Sequence, residues 1–581
     1  MAGNDDFAGE KRVEPAGGVQ VRTRILDRHG RVWEHPFTPE FPMDSEAGYA
    51  FYSRMGGFVP VEVALDTIFS NPAHYGAGGF EGVRMLRTPY GDGFVELPHN
   101  LARFIYSSLA FNLSLIRDTI KLLDDPEVDR VEHLQRTPRD FFADSVWSLE
   151  KDSDVQMGVN IFYKDGSVKE DKVKFELRVK FDGTERKFSM KEMEAATCSL
   201  AFLNRLVRGP PFPAGGIALI PGAYFRHVFW YSGEGGLKVP TLFLKDGILV
   251  EKPLYFGIGT LPWAGRYLPD EGYKAGLRVL VAPLPRIDEA MPVTQKIAGN
   301  YVNSARNINI AMALGFGEIL ALNHKKEVVE GSAENIIVLF TDKRTGGMRA
   351  YCPPLSSNIL AGTTRDRMLR VLGQGVEVSG RKPELVMEAP KLDFVLRSLE
   401  GRTDFEVSAV VLMGTGVGVV HARSITDNPK LREWMEVNAL RSEEARSEPL
   451  ELRRLKESER EYIINNGERH PFVEALQEAY NGLVLGEQGR LITPAYAMDF
   501  RAAERVFGVQ LEEVASNDFI AKTEWGYFRE RVNGIVQPDE LMAKYREAAA
   551  VVRKMNGISI DRRTGGPGKK GAELLLSVAG R

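Results

Sequence analysis

The chain has 581 residues, and 75 Lys and Arg against 79 Asp and Glu leave a formal net charge of −4. That balance removes the electrostatic case for a nucleic-acid binder or a polybasic membrane protein. With 43% hydrophobic and 27% charged residues, the composition is that of an ordinary globular chain, long enough for about three to five folding units. Two cysteines, Cys198 and Cys352, can form neither a disulfide framework nor a thiolate metal site alone, which fits a reducing compartment. Residues 1–18 carry no apolar run after a basic patch, so no secretory signal is expected. The longest nearly uncharged apolar stretch, Val407 to Val420, has fourteen residues, too few to span a bilayer. These features together predict a soluble, cytoplasmic protein.

In chain order, Val95 to Leu97 reads as a strand. His99 to Leu113 reads as a helix, with Leu101, Ile105, Leu109 and Leu113 at four-residue spacing. Residues 116–190 look inserted. Within them Val173, Phe175, Leu177, Val179 and Phe181 alternate with Lys172, Lys174, Glu176, Arg178 and Lys180, the period of a half-exposed strand. Asp165-Gly166 and Asp182-Gly183 flank that run as hairpin turns. Strands are expected at Ile217 to Ile220, Tyr224 to Trp230 and Thr241 to Leu244, followed by a linker at 264–275. Beyond it come strands at Val279 to Ala282, Glu318 to Leu322, Asn335 to Phe340 and Val407 to Met413. Two helices interrupt them, Tyr301 to Leu314 and Thr363 to Gly373. Glu443 to Glu461 reads as a charged surface helix, and Leu541 to Met555 as an amphipathic helix ahead of a basic, glycine-rich tail.

Three stretches stand apart from scaffold. Lys296-Ile-Ala-Gly-Asn-Tyr301 places a lysine before small residues, and a lysine amine is a nucleophile once its surroundings favour the neutral form. Glu330-Gly-Ser-Ala-Glu334-Asn335 puts two carboxylates between apolar strands, Lys326 to Val329 and Ile336 to Phe340, where burial is costly without partners. Glu334 and Asn335 read as braces of that turn, and Glu330 as a partner for a cationic ligand. Gly362-Thr363-Thr364-Arg365-Asp366 opens a helix; Thr363 and Asp366 resemble a capping pair, and a helix start is an anion site. Gly414-Thr415-Gly416 ends an apolar strand in a turn that a phosphate could approach closely. A lysine, a carboxylate and a phosphate cradle are what a pyridoxal phosphate site requires.

With those stretches in place, the chain resembles the fold-type IV pyridoxal-phosphate enzymes, and most nearly the branched-chain amino acid aminotransferases. The resemblance rests on eight pieces in the family's order. They begin with His74-Tyr-Gly-Ala-Gly-Gly-Phe-Glu-Gly-Val-Arg84, Asn100-Leu-Ala-Arg103, Ala223-Tyr-Phe-Arg226 and Pro262-Trp263. They end with Lys296 to Tyr301, Glu330 to Asn335, Leu360-Ala-Gly-Thr-Thr-Arg-Asp366 and Met413-Gly-Thr415. Lys296 and Glu330 are 34 positions apart, as in the family.

The resemblance implies an α/β (mixed α+β) two-domain fold, to which this chain adds an inserted β-rich segment and a C-terminal helical extension that depart from the family pattern. Its divisions are a flexible N-terminus at 1–19, a small domain at 20–263 with an insertion at 116–190, and a linker at 264–275. A large cofactor domain at 276–490, with an insertion at 428–466, and an extension at 491–581 complete it. It implies pyridoxal 5'-phosphate as cofactor. Lys296 is then the Schiff-base lysine and proton shuttle, Tyr301 a donor to the cofactor phenolic oxygen, and Glu330 the partner of the pyridine nitrogen. Arg103, Thr363, Thr364 and Thr415 hold the phosphate. Phe80, Gly82 and Tyr224 line the side-chain pocket, Tyr75 and Arg226 take the distal carboxylate of glutamate, and Gly416 and Val417 bind the α-carboxylate.

The implied reaction moves an amino group between a branched-chain or similar apolar L-amino acid and 2-oxoglutarate. D-amino acid transaminases and aminodeoxychorismate lyases share the fold and stand as alternatives, with a non-catalytic scaffold of the same fold behind them. Where branched-chain enzymes usually read Gly-Thr-Ala-Ala-Glu, this chain has Gly414-Thr-Gly-Val-Gly418. A homodimer or higher homo-oligomer is expected, with no metal, nucleic-acid or membrane partner; His74, His99 and His421 read as structural.

Overall fold

The structure, a computed structural model, describes residues 22–26, 32–36, 49–53, 57–60, 76–88, 91–110, 125–133, 155–175, 177–181, 183–203, 220–231, 242–245, 248–262, 274–286, 293–373, 375–440, 457–485 and 492–494. The expected flexible N-terminus, most of the linker, Tyr75 and the amphipathic helix at 541–555 lie outside the described residues.

The fold is mixed α/β and organised by two large sheets. The first has seven antiparallel strands, ordered Ile492–Pro494, Gly91–Val95, Gly78–Thr88, Ile220–Tyr231, Leu254–Pro262, Tyr49–Tyr52 and Gly57–Pro60. Its centre is the pairing of Gly78–Thr88 with Ile220–Tyr231, which sets Gly82 opposite Arg226 and Arg84 opposite Tyr224. The second has nine strands, running Val328–Glu330, Glu318–Leu322, Leu277–Val281, Gly418–Asp427, Phe405–Gly414, Asn335–Asp342, Met348–Tyr351 and Glu384–Val386, with Arg460–Ile463 on Gly418–Asp427. Glu330 also pairs with Asn335, so six of these strands close into a ring at that point. The closing loop therefore carries the two carboxylates singled out in the sequence.

One apolar core spans both sheets. Phe94, Phe104, Phe225 and Phe256 from the first side pack in the same cluster as Leu339, Met368, Val411 and Met413 from the second. The helix Leu97–Ser108 has Leu97, Leu101, Phe104 and Ile105 buried at the expected spacing. It starts two residues earlier than the periodicity predicts, because Glu96 turns the chain in a left-handed conformation and Pro98 suits a first helical turn. The expected strand Val95 to Leu97 therefore ends at Val95.

Several other elements differ from the sequence reading. The alternating run from Val173 to Phe181 is two strands. Val168–Phe175 pairs with Val155–Tyr163 across the turn at Gly166, and Leu177–Phe181 pairs with Thr184–Phe188 across the turn at Gly183. Leu177, Val179 and Phe188 are buried in the main core, so this hairpin is more than an exposed decoration. Arg460–Ile463, in the stretch read as the end of a charged helix, is a strand of the second sheet. Lys326 occupies a turn with positive φ, and the strand after it begins at Val328. Among the described residues, no helix is long and apolar enough to cross a membrane, and no group of three His, Cys, Asp or Glu could hold a metal ion.

Candidate active site

Lys296 enters the space between the sheets on an extended stretch pinned at both sides. Its backbone N–H donates to Ser107 Oγ at 2.9 Å, and its carbonyl accepts from Phe80 N–H at 3.1 Å. Gln295 Nε2 donates to the Tyr106 carbonyl at 2.9 Å, and Asn300 Nδ2 donates to the Gln295 carbonyl at 3.0 Å. Gly79 makes this approach possible: a Cβ there would lie 2.5 Å from the Phe229 ring and 2.9 Å from the Lys296 carbonyl. The Lys296 amine points into a cavity of about 270 Å³ and donates to the Tyr301 hydroxyl at 3.2 Å. It lies 5.3 Å from the centre of the Phe80 ring and 5.5 Å from that of Tyr301.

The opposite wall is the start of the helix Thr363–Gly373. The first N–H groups of a helix have no intrahelical acceptor, and Thr363 and Thr364 both line the cavity here. The expected capping pair does not form. The Thr363 hydroxyl donates to Asn100 Oδ1 at 3.5 Å, and the Asp366 carboxylate accepts from Arg370 Nε at 3.1 Å. A neighbouring helix and the next turn outcompete the local cap. Arg367 locks the two helix starts together, donating to Glu96 at 2.8 Å and contacting the His99 ring, all three buried. Burial and the Arg367 and Arg370 charges hold His99 well below the ordinary histidine range.

Arg103 is also at the cavity wall, yet its guanidinium is largely spoken for. Nε donates to Glu81 Oε2 at 2.7 Å, Nη2 to Glu81 Oε1 at 2.6 Å, and Nη1 to the Ala361 carbonyl at 3.1 Å. Burial alone would raise the Glu81 carboxyl, but Arg103 outweighs it and the net shift is downward. Burial likewise opposes the charged Arg103, and Glu81 reverses the sign.

Phe80, Gly82, Tyr224 and Arg226 form the remaining mouth of the cavity. Gly82 is needed because the Tyr224 phenol lies on it: a Cβ would fall 1.6 Å from the phenol oxygen. The Arg226 guanidinium lies 4.7 Å from the Phe80 ring centre and 5.1 Å from that of Tyr224. Thr415 and Gly416 line the cavity from the turn between the strands Phe405–Gly414 and Gly418–Asp427.

The cavity thus gathers Phe80, Gly82, Arg103, Tyr224, Arg226, Lys296, Tyr301, Thr363, Thr364, Thr415 and Gly416 from the sequence candidates. Among the described residues, two candidates lie outside its lining. Glu330 is buried behind Leu360, where both carboxylate oxygens accept the Leu360 N–H at 3.1 and 3.3 Å and Arg286 forms an ion pair with it. Val417 is buried in the apolar core of the second sheet.

Sequence reasoning missed Glu81 as the partner of Arg103. It also missed that Glu334 reaches the cavity while facing Glu318. Burial and Glu318 push the Glu334 carboxyl well above the usual range. Glu318 braces the closing loop, accepting from Ser332 N–H at 2.8 Å and from its hydroxyl at 3.0 Å.

Residues 260–425 match the family described as amino-transferase class IV. The chain resembles the class IV aminotransferases. A probable branched-chain-amino-acid aminotransferase of Aquifex aeolicus is 29% identical over 236 residues, 40% of this chain and 58% of that protein. The branched-chain-amino-acid aminotransferase of Escherichia coli strain K12 is 30% identical over 167 residues, 27% of this chain and 47% of that protein. The chain spans about half the length of these curated relatives. Among solved structures, a branched-chain amino acid aminotransferase of Escherichia coli has a TM-score of 0.45 and 18% identity, covering 75% of this chain and 95% of that one.

Proposed function

We propose that the protein is a pyridoxal-phosphate-dependent aminotransferase that moves an amino group between an apolar, branched-chain-like L-amino acid and 2-oxoglutarate. The observation that carries this reading is the placement of the Lys296 amine in one cavity with the Thr363–Thr364 helix start and with Arg103. The donor set fits the cofactor: an amine for its aldehyde, helix N–H groups and hydroxyls for its phosphate, and aromatic walls for its ring. The cofactor supplies an electron sink that lets the bond from Cα to hydrogen break.

This chain's residues do the rest. Lys296 Nζ takes the proton from substrate Cα and returns it on the other side of the exchange, with the Tyr301 hydroxyl 3.2 Å away to hold the amine in place. Thr363, Thr364 and Thr415 hold the phosphate, joined by Arg103, whose Nη1 faces the Ala361 edge of the cradle. Glu330, hydrogen-bonded to the Leu360 edge of the cavity, is our candidate for the pyridine nitrogen. Gly416 and Val417 are our candidates for the α-carboxylate, Phe80, Gly82 and Tyr224 for the substrate side chain, and Tyr75 for the distal carboxylate beside Arg226.

Arg226 addresses the dual-substrate problem. When a distal carboxylate is present it is the ionic partner; with an apolar side chain in place, the cation remains on the faces of Phe80 and Tyr224. That keeps the half-buried cation in contact with partners when no carboxylate is present. A homodimer belongs to this reading.

A panel of L- and D-amino acids offered to the cofactor-loaded protein, with pyruvate release followed in parallel, tests the assignment. Loss of the cofactor's initial absorbance with L-leucine, L-isoleucine or L-valine and recovery with 2-oxoglutarate is expected. Reaction confined to D-amino acids, or pyruvate release from an aminated chorismate, would replace it with one of the other activities of the fold.

A further inference from the structure

Ser107 stands on the last turn of the helix Leu97–Ser108, one turn after Arg103, and is 0% exposed. Its hydroxyl makes two hydrogen bonds, to the Arg103 carbonyl at 2.8 Å and to the Lys296 N–H at 2.9 Å. The direction of both follows from the groups involved. A carbonyl only accepts, so the hydroxyl proton belongs to Arg103; an N–H only donates, so a lone pair of the same oxygen takes Lys296. One buried oxygen thus joins the backbone of the arginine at the anion end of the cavity to the backbone of the lysine whose amine enters it.

A second connection closes the circuit. Arg103 Nη1 donates to the Ala361 carbonyl at 3.1 Å, and the Ala361 N–H donates to the carbonyl of Thr294, just ahead of Lys296, at 3.4 Å. Ala361 leads directly into Gly362, Thr363 and Thr364, which line the cavity. The Ser107 link is the shorter of the two connections, and it acts on the lysine itself. The amine hangs on a flexible four-carbon stem, so its placement depends on where the backbone is held. A ligand gripped at a phosphate and at an aldehyde gains from the second grip only when the two anchors keep the right separation.

We propose that Ser107 is a positioning residue that sets the spacing between the anion end of the cavity and the Lys296 amine. The inference rests on reading this cavity as the pyridoxal phosphate site. In the bond-forming step the neutral amine condenses with the cofactor aldehyde: a C=N bond replaces the C=O bond, and one water leaves with the oxygen and both amine protons. Ser107 takes no part in that exchange. Its contribution is to hold the attacking nitrogen within reach while the phosphate stays in the cradle. Without the hydroxyl, the Lys296 N–H loses its acceptor, and the lysine stretch is free to shift against the helix that carries Arg103.

The test is equilibrium titration of the full-length, cofactor-free protein with pyridoxal 5'-phosphate and with pyridoxamine 5'-phosphate, which has the phosphate but no aldehyde. Ser107→Ala should bind pyridoxal phosphate about tenfold more weakly, a difference of ~1.4 kcal/mol, and pyridoxamine phosphate as well as the unaltered protein does. In a Lys296→Ala background, where no C=N bond can form, Ser107→Ala should change neither affinity. Should the alanine variant not fold, Ser107→Cys, with a weaker acceptor in the same place, carries the same pattern of effects. Equal weakening of both ligands, or the same weakening in the Lys296→Ala background, would show a packing role and overturn the proposal. If the unaltered protein bound neither phosphorylated ligand, the cofactor reading would fall together with this inference. Tight binding of both ligands that survives Ser107→Ala intact overturns the inference alone.

Discussion

Replacing Glu81 with glutamine removes the counterion of a guanidinium that has almost no access to water. The two side chains are 0% and 2% exposed and meet in a two-pronged contact of 2.7 and 2.6 Å. Glutamine supplies one acceptor and turns an NH2 group toward the other guanidinium nitrogen. Arg103 would keep the Ala361 carbonyl at 3.1 Å and a long contact to Asn100 at 3.4 Å. Leaving a buried charge without its partner costs about 3–5 kcal/mol, and chemical denaturation of the cofactor-free protein should show a loss of that size. Removing the charge as well, in a Glu81→Gln, Arg103→Met double variant, should recover much of it, because an apolar replacement of both partners is often close to neutral. Inorganic phosphate should stabilise Glu81→Gln more than the native protein, since the unpaired Arg103 borders the proposed phosphate cradle. A loss below about 1 kcal/mol, or the same loss in an Arg103→Met background, would refute the argument that the pair is strongly coupled.

Two further perturbations follow from the geometry. Gly82→Ala places a methyl group where the Tyr224 phenol now lies, 1.6 Å from its oxygen. The ring must move, so KM for apolar amino acids should rise while the cofactor spectrum stays native; unchanged kinetics would mean that Tyr224 does not shape the pocket. His227 is fully buried between Phe104 and Phe256, with Thr197 Oγ1 2.8 Å from Nε2, and burial lowers its pKa from 6.5 to about 4. A depressed folded-state value means the neutral ring favours folding. Its contribution is complete above pH 6.5 and is lost as pH falls toward 4, by up to about 3 kcal/mol. Thermal melts over that range should show a decline that flattens in His227→Gln, and an identical decline in both proteins would contradict it.

The sequence discloses features whose cause is local. Glu318–Leu322 is legible as an apolar run between Gly317 and Asn323, and Thr363–Gly373 as a helix opening after Gly362 and closing on a glycine. Lys296 is conspicuous because small residues follow it, and the structure explains them by the close approach of Gly76 to Gly299. Features created by partners far away in sequence are not legible. Glu81 looks like a stray acid in an apolar strand until Arg103, a full element away, is folded against it. Tyr480, buried on the helix Pro471–Leu485, carries no local signal at all, since the partner of its hydroxyl is Arg84, far away in sequence. The run from Val173 to Phe181 shows the same limit: alternation reports which face is apolar, and says nothing of a change of pairing partner at its middle. The Thr363 and Asp366 cap failed for a related reason, because Asn100 and Arg370 offered better partners than the two residues offered each other.

The reading stands or falls on the amine of Lys296. The visible absorbance of the full-length protein supplied with pyridoxal phosphate should be recorded for the native chain and for Lys296→Ala, before and after L-leucine and then 2-oxoglutarate. The native protein should show a band that leucine removes and 2-oxoglutarate restores, and Lys296→Ala should bind the cofactor without completing that cycle. A band that cycles equally in Lys296→Ala, or no band in the native protein at saturating cofactor, would contradict the assignment of this cavity as an aminotransferase site.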